Sequence, residues 1–155
     1  MEILVLTVSD RASRGDYEDR SGPAVIKMLA KAFPDANIEG LMVPDEKPAI
    51  LKVFASHAQK DFIITTGGTG LSARDVTPDA TGEYCERMVP GIAEMLRMES
   101  LKETPYAALS RGVAGMKGKC IIINLPGSVK AATFCTRLVV PLLPHALAMR
   151  DGKGH

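Results

Sequence analysis

The chain has 155 residues, which is enough for one hydrophobic core of ordinary size and too few for two. Apolar residues make up 46% and charged residues 24%, values typical of a soluble globular protein. The net charge of +1 excludes a general electrostatic attraction to nucleic acid or to an anionic membrane, so any anion must be bound by local groups.

The first half of the chain alternates apolar runs with helical patterns. A continuous apolar run with β-branched members, residues 3–8, predicts a strand covered on both faces. Ser21-Gly22-Pro23 begins a helix whose apolar residues recur at helical spacing. Residues 38–43 are predicted to be a second strand, Lys47-Pro48 begins a second helix, and residues 62–66 form the third predicted strand.

The second half is predicted to be mostly helical around one further strand. We expect helices near 78–88 and 91–103, whereas residues 105–118 stay open between a short irregular connection and an edge strand. Residues 120–124 are predicted to be a fourth strand. Residues 129–150 are expected to be helical but interrupted, because the two prolines within them cannot lie in one undisturbed helix.

This order of elements predicts an α/β fold, a three-layer α/β/α sandwich with a mostly parallel central sheet. We expect one domain over residues 1–150 and a frayed polar tail over residues 151–155. The start of the chain lacks the pattern of a secretory signal, and the longest apolar run, residues 138–143, is too short to span a bilayer. The three cysteines form no Cys-x-x-Cys pair and are expected to be free thiols. These features favour a cytoplasmic location.

Polar or glycine-rich residues follow each of the four predicted strands. In open α/β sheets, ligands bind beyond the carboxyl ends of the strands. Any one such loop is more simply a plain connection, because turns favour Gly, Pro, Asn and Asp. Four loops that meet at one edge, with acidic residues in three of them, instead indicate a site. The loops are Ser9-Asp10-Arg11, Pro44-Asp45-Glu46, residues 66–70 with the segment beyond them, and Asn124-Leu125-Pro126-Gly127-Ser128.

The most informative segment begins in the third predicted strand, at Thr65-Thr66-Gly67-Gly68-Thr69-Gly70. Its three glycines let the backbone approach a ligand and direct N–H groups at phosphate oxygens. Asp75 and Asp79 follow beside Arg74, and these carboxylates would repel a bare phosphate unless a hard cation such as Mg²⁺ lies between them. The chain contains neither a P-loop motif nor a Gly-x-Gly-x-x-Gly motif after a strand. The segment therefore predicts a site for a phosphate-bearing substrate and a metal ion.

Together with Arg74-Asp75-Val76-Thr77-Pro78-Asp79, this segment closely resembles the signature of the molybdenum cofactor biosynthesis domain family. Further segments resemble its molybdopterin adenylyltransferase branch, and they follow the same order through nearly the whole chain. Family members often carry Pro where Val129 stands here. The further segments are Ser9 to Ser13, Gly15 to Asp19, Ser21-Gly22, Val43-Pro44-Asp45-Glu46, Pro90-Gly91, Leu109-Ser110-Arg111 and Asn124 to Ser128.

The resemblance implies a homotrimeric enzyme that transfers the adenylyl group of ATP to molybdopterin, with Mg²⁺ as cofactor and pyrophosphate as the second product. It implies small-molecule substrates and a molybdate-insertion enzyme acting downstream as a partner. It also implies that Asp45 and Asp75 are the essential acids, acting through Mg²⁺ and the positioning of ATP. The substrate-binding residues that it implies are Ser9, Asp10, Arg11, Thr66, Gly67, Gly68, Thr69, Gly70, Arg74, Asn124, Pro126, Gly127 and Ser128.

Several roles stay open at this level. Asp45 also suits the N-cap of the helix that follows it, and Asp79 suits the first turn of a helix. Arg74 either contacts anionic oxygens or neutralises its acidic neighbours, and Tyr17 and Asp19 are weaker candidates for the site. The whole chain is also compatible with a non-catalytic molybdopterin-binding protein of the same fold. A molybdate-insertion domain is a third alternative, although such a domain usually lies in a larger chain.

Overall fold

The computed structural model describes residues 1–153 and contains a six-stranded sheet with helices on both faces. The strands are β1 (Glu2–Val8), β2 (Asn37–Val43), β3 (Phe62–Thr66), β4 (Arg87–Met88), β5 (Ala114–Lys117) and β6 (Cys120–Leu125). The α-helices are α1 (Asp10–Ser13), α2 (Ser21–Ala32), α3 (Lys47–Ser56), α4 (Thr77–Tyr84), α5 (Pro90–Ser100), α6 (Val129–Val139) and α7 (Leu143–Arg150). Two 3-10 helices span Pro105–Leu109 and Val140–Leu142.

The sheet has the strand order β2-β1-β3-β6-β5-β4. The first four of these strands run parallel, whereas β5 is antiparallel to β6 and β4 is antiparallel to β5. The predicted α/β class with a mostly parallel sheet is therefore confirmed. The carboxyl ends of the four parallel strands meet at one edge, which we call the carboxyl edge. The reversed direction of β5 brings its amino end to this same edge.

The central strands β1, β3 and β6 are buried on both faces because helices cover both sides of the sheet. In β1, Ile3 and Val5 belong to a core cluster with α2, α5, α6 and α7, while Leu4 and Leu6 pack on the opposite side with α3 and α4. All four side chains are fully buried. This alternation produces the three layers that the unbroken apolar run predicts. The three cysteines are free thiols, as expected.

Three local elements differ from the sequence-based expectations. The helix expected near 78–88 ends earlier, because residues 87–88 pair with β5 as strand β4. The segment left open between residues 105 and 118 is a 3-10 helix followed by β5, which turns at Gly118 (φ +54°) into β6. The sequence does not predict α1, a helix of four residues in which the Ser9 side chain accepts a hydrogen bond from a backbone amide.

The carboxyl-terminal helical region is interrupted, as its prolines predict, by the second 3-10 helix between α6 and α7. Within the described residues, Val129–Arg150 is long and apolar enough, by length and composition, to cross a membrane, since it contains an 18-residue window with a mean hydropathy of 1.3. Its inner face, which includes Ala132, Cys135 and Val139, is buried against the sheet. We therefore interpret it as a core element of the fold. Residues 154 and 155 of the predicted tail lie outside the described residues.

Candidate active site

A cavity of about 240 Å³ lies at the carboxyl edge, and we call it the acidic cavity. Asp45 reaches it from the loop after β2, and Asp75 reaches it from the segment between β3 and α4. The two carboxylates therefore meet at one site, which is the arrangement that four converging loops predict. The lining residues are Thr7, Val8, Ser9, Ala12, Tyr17, Asp19, Ser21, Asp45, Thr66, Gly67, Gly68, Asp75 and Gly127.

The glycine loop after β3 forms one wall of this cavity and has a backbone that only glycine adopts easily. Gly67 and Gly68 have φ values of +94° and +63°, both in the left-handed region. A side chain on Gly67 would collide with the carbonyl oxygen of Val8, and one on Gly68 would collide with the hydroxyl of Thr77. Thr77 in turn donates from that hydroxyl to the carbonyl oxygen of Gly67 at 3.0 Å. The loop is thus packed tightly between the end of β1 and the start of α4.

Asp45 is held at the cavity by a reciprocal pair of hydrogen bonds with Asp10. The backbone amide of Asp10 donates to Asp45 Oδ2 at 2.7 Å, and the amide of Asp45 donates to Asp10 Oδ1 at 2.9 Å. Burial raises the pKa of the Asp45 carboxyl, and the negative charges of Asp10 and Asp75 raise it further, against the effect of the bond from the Asp10 amide. The alternative role as an N-cap is wrong, because the N-cap residue of α3 is Glu46. A bound cation would relieve the repulsion at Asp45.

Arg74 and Asp10 form a two-pronged ion pair beside the acidic cavity. The Arg74 guanidinium donates from Nε to Asp10 Oδ2 at 2.9 Å and from Nη2 to both carboxylate oxygens at 2.7 and 2.8 Å. These bonds lower the pKa of Asp10 and raise the pKa of Arg74. Of the two roles left open for Arg74, the structure therefore favours neutralisation of an acidic neighbour. Arg11 lies elsewhere, with its guanidinium carbon 5.2 Å from the centre of the Tyr17 ring. Asp10, Arg11 and Arg74 line neither this cavity nor the one described next.

A larger cavity of about 430 Å³, which we call the groove, lies between α5, the first 3-10 helix and α6. Thr69 and Gly70 line the groove, whereas Gly67 and Gly68 line the acidic cavity, so the glycine loop is a wall shared by both. Ten of the thirteen residues that the resemblance implies for substrate binding are thereby divided into two sets, whereas Asp10, Arg11 and Arg74 line neither cavity. Those on the groove are Thr69, Gly70, Asn124, Pro126 and Ser128, and those on the acidic cavity are Ser9, Thr66, Gly67, Gly68 and Gly127.

Asn124 and Ser128 already have partners within the protein. The Asn124 side-chain amide donates to the hydroxyls of Thr65 and Thr81 at 3.1 and 2.9 Å, and its carbonyl oxygen accepts from the amide of Val113 at 3.2 Å. The Ser128 hydroxyl caps α6 by accepting from a backbone amide. The Asn124 side chain therefore supports the site from within the fold, whereas the exposed Ser128 hydroxyl accepts one bond in the cap and keeps its own O–H as a donor.

Arg111 belongs to a segment that resembles the family, and it contacts the same region, although the sequence predicts no role for it. Its guanidinium donates to the carbonyl oxygens of Gly70 and Asp75 and to the carboxylate of Asp79. Asp79 therefore pairs with an arginine in addition to lying in the first turn of α4. The missing signal was the strand direction, since Arg111 lies just before β5 and reaches the carboxyl edge only because β5 is antiparallel.

Asp19, a weaker candidate, is a local hub at the acidic cavity. Its carboxylate accepts from the Thr7 hydroxyl at 2.6 Å and from the backbone amides of Ser21 and Gly22 at 3.0 and 3.1 Å. The Ser21 hydroxyl also lies 3.1 Å from that of Thr66. Asp19 thus ties the start of α2 to the end of β1, and Ser21 ties it to the end of β3.

Among the residues that the structure describes, no group of three or more His, Cys, Asp or Glu side chains could hold a metal ion by itself. Asp45 and Asp75 offer two carboxylates on one cavity. Mg²⁺ is commonly bound in this way, with one or two carboxylates, water molecules and the phosphate oxygens of a substrate. The residues present therefore fit a metal that arrives with a phosphate-bearing ligand.

Comparison with known proteins identifies relatives of the chain. The family model described as "Probable molybdopterin binding domain" matches residues 4–145. The chain is 42% identical to the molybdopterin adenylyltransferase of Helicobacter pylori over 151 residues, which cover 95% of this chain and 86% of that protein. It is 38% identical to the molybdopterin adenylyltransferase of Escherichia coli K12, with 84% of this chain and 69% of that protein covered.

Longer relatives and solved structures are similar as well. The chain is 42% identical to the molybdenum cofactor synthesis protein cinnamon of Drosophila melanogaster, of which it spans only 24%. The crystal structure of the molybdopterin biosynthesis enzyme MoaB from Thermus thermophilus superimposes with a TM-score of 0.86 at 46% identity, covering 98% of this chain and 97% of that one. A MogA structure superimposes with a TM-score of 0.89 at 34% identity, covering 97% of this chain and 99% of that one.

Proposed function

The chain belongs to the molybdenum cofactor biosynthesis domain family, and from this premise we propose that it is a molybdopterin adenylyltransferase. The observation that carries the proposal is the meeting of Asp45, Asp75 and the glycine loop on one cavity, with a second, larger cavity across the same loop. Two adjoining cavities suit a reaction between two phosphate-bearing substrates. We place the Mg²⁺-bound triphosphate of ATP at the acidic cavity, because that cavity contains both carboxylates.

The reaction joins the terminal phosphate of molybdopterin to the α-phosphorus of ATP. A new phosphorus–oxygen bond forms, the bond between the α-phosphorus and its bridging oxygen breaks, and that oxygen leaves with pyrophosphate. The attacking phosphate has a second pKa near about 6 and is largely dianionic at neutral pH, so no strong general base is required. Among the described residues, no histidine lines either cavity, which is compatible with a reaction that needs no strong general base.

The protein must therefore hold two polyanions together and stabilise the departing charge. Bound Mg²⁺ would neutralise phosphate charge, and Asp45 and Asp75 are the residues that would hold it. The left-handed glycine loop keeps side chains away from the phosphates and lets the backbone approach them. Arg74 keeps Asp10 paired, so that Asp10 does not add an unpaired charge beside Asp45.

We further propose that the chain acts in the cytoplasm as one domain over residues 1–150, assembled as a homotrimer. The product would pass to a molybdate-insertion enzyme. Size-exclusion chromatography with light scattering measures the assembly directly. A mass of three chains is expected, and a monomer at micromolar concentration would contradict the trimer.

Pyrophosphate release from purified protein, molybdopterin and Mg-ATP tests the activity. Asp75→Ala should lower kcat by roughly 10²-fold or more through the loss of a metal-positioning group, while its melting temperature stays close to that of the wild type. Asp35→Ala is the matched control, because Asp35 is exposed and lies outside both cavities.

The same assay separates the second candidate function, a binding protein without catalysis. If the wild-type chain binds molybdopterin tightly and never consumes ATP, the proposed enzymatic function is wrong and the binding function takes its place. Equal turnover in Asp75→Ala and Asp35→Ala would refute the role of Asp75.

A further inference from the structure

Arg111 fastens both ends of the segment that carries Asp75. Its backbone amide donates to the carbonyl oxygen of Thr69 at 2.8 Å. Its side chain donates from Nε to the carbonyl oxygen of Gly70 at 3.0 Å and from Nη2 to that of Asp75 at 2.6 Å. We propose that Arg111 is a positioning residue that keeps residues 69–75 in the shape required for adenylyl transfer. The inference rests on the proposed function and adds to it a residue that contacts neither cavity.

The guanidinium also ties this segment to α4. Arg111 Nη2 donates to Asp79 Oδ2 at 2.8 Å and Nη1 donates to Asp79 Oδ1 at 3.3 Å. Thr77, at the start of α4, donates from its backbone amide to the carbonyl oxygen of Gly68 at 3.1 Å. The glycine loop, the segment after it and the first turn of α4 are therefore bonded into one unit, and Arg111 contacts all three of its parts.

Arg111 is itself held from the other side. Arg97, on α5, donates from Nη1 to the carbonyl oxygen of Gly112 at 2.6 Å and more weakly to that of Ser110 at 3.4 Å. Asn124 pairs with the backbone of Val113 at the next position. The backbone around Arg111 is thus anchored to the central sheet and to α5, so Arg111 links a fixed part of the fold to a loop.

The N–H groups of Arg111 are almost all used within the protein, which favours a positioning role over direct contact with a phosphate. A guanidinium has five N–H groups, and the four bonds of Arg111 to Gly70, Asp75 and Asp79 leave at most one of them free. Arg111 also lies outside the linings of both cavities. The exposed ion pair with Asp79 contributes little to global stability, since such pairs are worth little in water. The bonds to two backbone carbonyls therefore define the role of this side chain.

A lysine at this position would keep the charge and lose the arrangement of donors. Its ammonium is a compact group on a flexible stem and cannot bond three separated acceptors with the fixed geometry of a guanidinium. A misplacement of about 1 Å at a reacting centre lowers a rate on the order of 10²-fold. We therefore expect Arg111→Gln to lower kcat by about that factor and Arg111→Lys to recover less than a tenth of the loss.

The test compares Arg111→Gln, Arg111→Lys and Asp79→Asn with Lys47→Gln as the matched control. Lys47 pairs with Glu83 on α4 at 2.6 Å, so the control removes a surface ion pair of the same helix without contacting residues 69–75. Both Arg111 variants should lose kcat with KM for ATP changed less than about threefold, because the substrate contacts themselves remain. Asp79→Asn should lose less, since the two carbonyl bonds persist, and the control should match the wild type.

A second measurement does not depend on activity. The amide of Ser72 donates to Asp75 Oδ2 and the amide of Asp75 donates to the carbonyl oxygen of Ser72, both at 2.9 Å, so these amides report the shape of the segment. Hydrogen exchange in a peptide covering residues 70–77 should be about tenfold faster in Arg111→Gln than in the Lys47 control. If wild-type protein transfers no adenylyl group, the proposed function fails, and this exchange difference still decides whether Arg111 holds the segment.

Three results would overturn the inference. Near wild-type kcat in Arg111→Lys would show that charge alone matters. A large rise in KM for ATP at unchanged kcat would show that Arg111 binds substrate directly. Unchanged exchange in residues 70–77, with a lower melting temperature as the only effect, would reduce Arg111 to a general contribution to stability.

Discussion

The buried side-chain amide of Asn124 is expected to stabilise both the fold and the site. Asn124 is only 4% exposed, and its three hydrogen bonds connect β6 to β3, α4 and the residue before β5. Thr81, one of its partners, donates onward to the carbonyl oxygen of Thr77 at 2.9 Å, and Thr77 bonds the glycine loop. Asn124→Ala removes the amide that connects these groups.

The expected magnitude follows from what the substitution leaves behind. The amide of Val113 loses its acceptor, the fully buried Thr65 hydroxyl loses its donor, and each unsatisfied buried group costs about 1–3 kcal/mol, less where water enters. Thr81 keeps its bond to Thr77, so it adds little. We expect a loss of about 2–4 kcal/mol in the free energy of unfolding. For a chain of this size that corresponds to a melting temperature lower by roughly 5–15 °C.

Thermal and urea unfolding measure this loss, with Asn37→Ala as the matched control. Asn37 also donates from its side-chain amide, to Glu2 at 2.8 Å, but it is exposed, so its loss should cost less than about 0.5 kcal/mol. Turnover per folded molecule should fall as well, because hydrogen bonds through Thr81 and Thr77 connect Asn124 to the glycine loop. A melting temperature of Asn124→Ala within about 1 °C of the control would refute the reasoning.

Three further predictions concern single groups. Gly68→Ala should cost at least about 1–2 kcal/mol from its φ of +63°, whereas Gly82→Ala, in helix α4 with open space around it, should be neutral or stabilising in the same melting assay. Asp45→Asn should abolish turnover but raise the melting temperature at neutral pH, because burial and two neighbouring carboxylates raise the pKa of Asp45 and so make its charged form destabilising. This gain in melting temperature should vanish below pH 3.8, the ordinary pKa of the group, where the carboxyl is protonated in both the folded and the unfolded chain. Burial also acts to raise the pKa of Asp61, but bonds from a backbone amide and Arg150 outweigh it and hold that pKa below 3.8. Asp61→Asn should therefore lower the melting temperature at neutral pH, and the difference from wild type should narrow only as the pH falls below 3.8.

Much of the fold could be predicted because it depends on local patterns. The unbroken apolar runs of β1 and β3 predict buried parallel strands, and Pro141 and Pro144 predict the break between α6 and α7. The meeting of Asp45 and Asp75 follows from the same topology, since parallel strands present their following loops at one edge.

The remaining features depend on tertiary pairing. Strand β4 has two residues and exists only because β5 lies beside it, and no local signal marks so short a strand. The contacts of Arg111 depend on the direction of β5, which residues 105–118 alone do not reveal. The role of Asn124 is similar, since sequence shows an amide in a polar loop but not that its donors are used by Thr65 and Thr81.

The wall shared by the two cavities has an evolutionary consequence. The acidic cavity is built from loops that follow the parallel strands. The groove is instead bounded by α5, the first 3-10 helix and α6, elements that lie outside those loops. Insertions or deletions between residues 101 and 109 would reshape the groove without shifting Asp45, Asp75 or the left-handed glycines. With ATP at the acidic cavity, as we propose, natural selection can diversify the acceptor molecule that binds in the groove while the nucleotide-binding half is inherited unchanged.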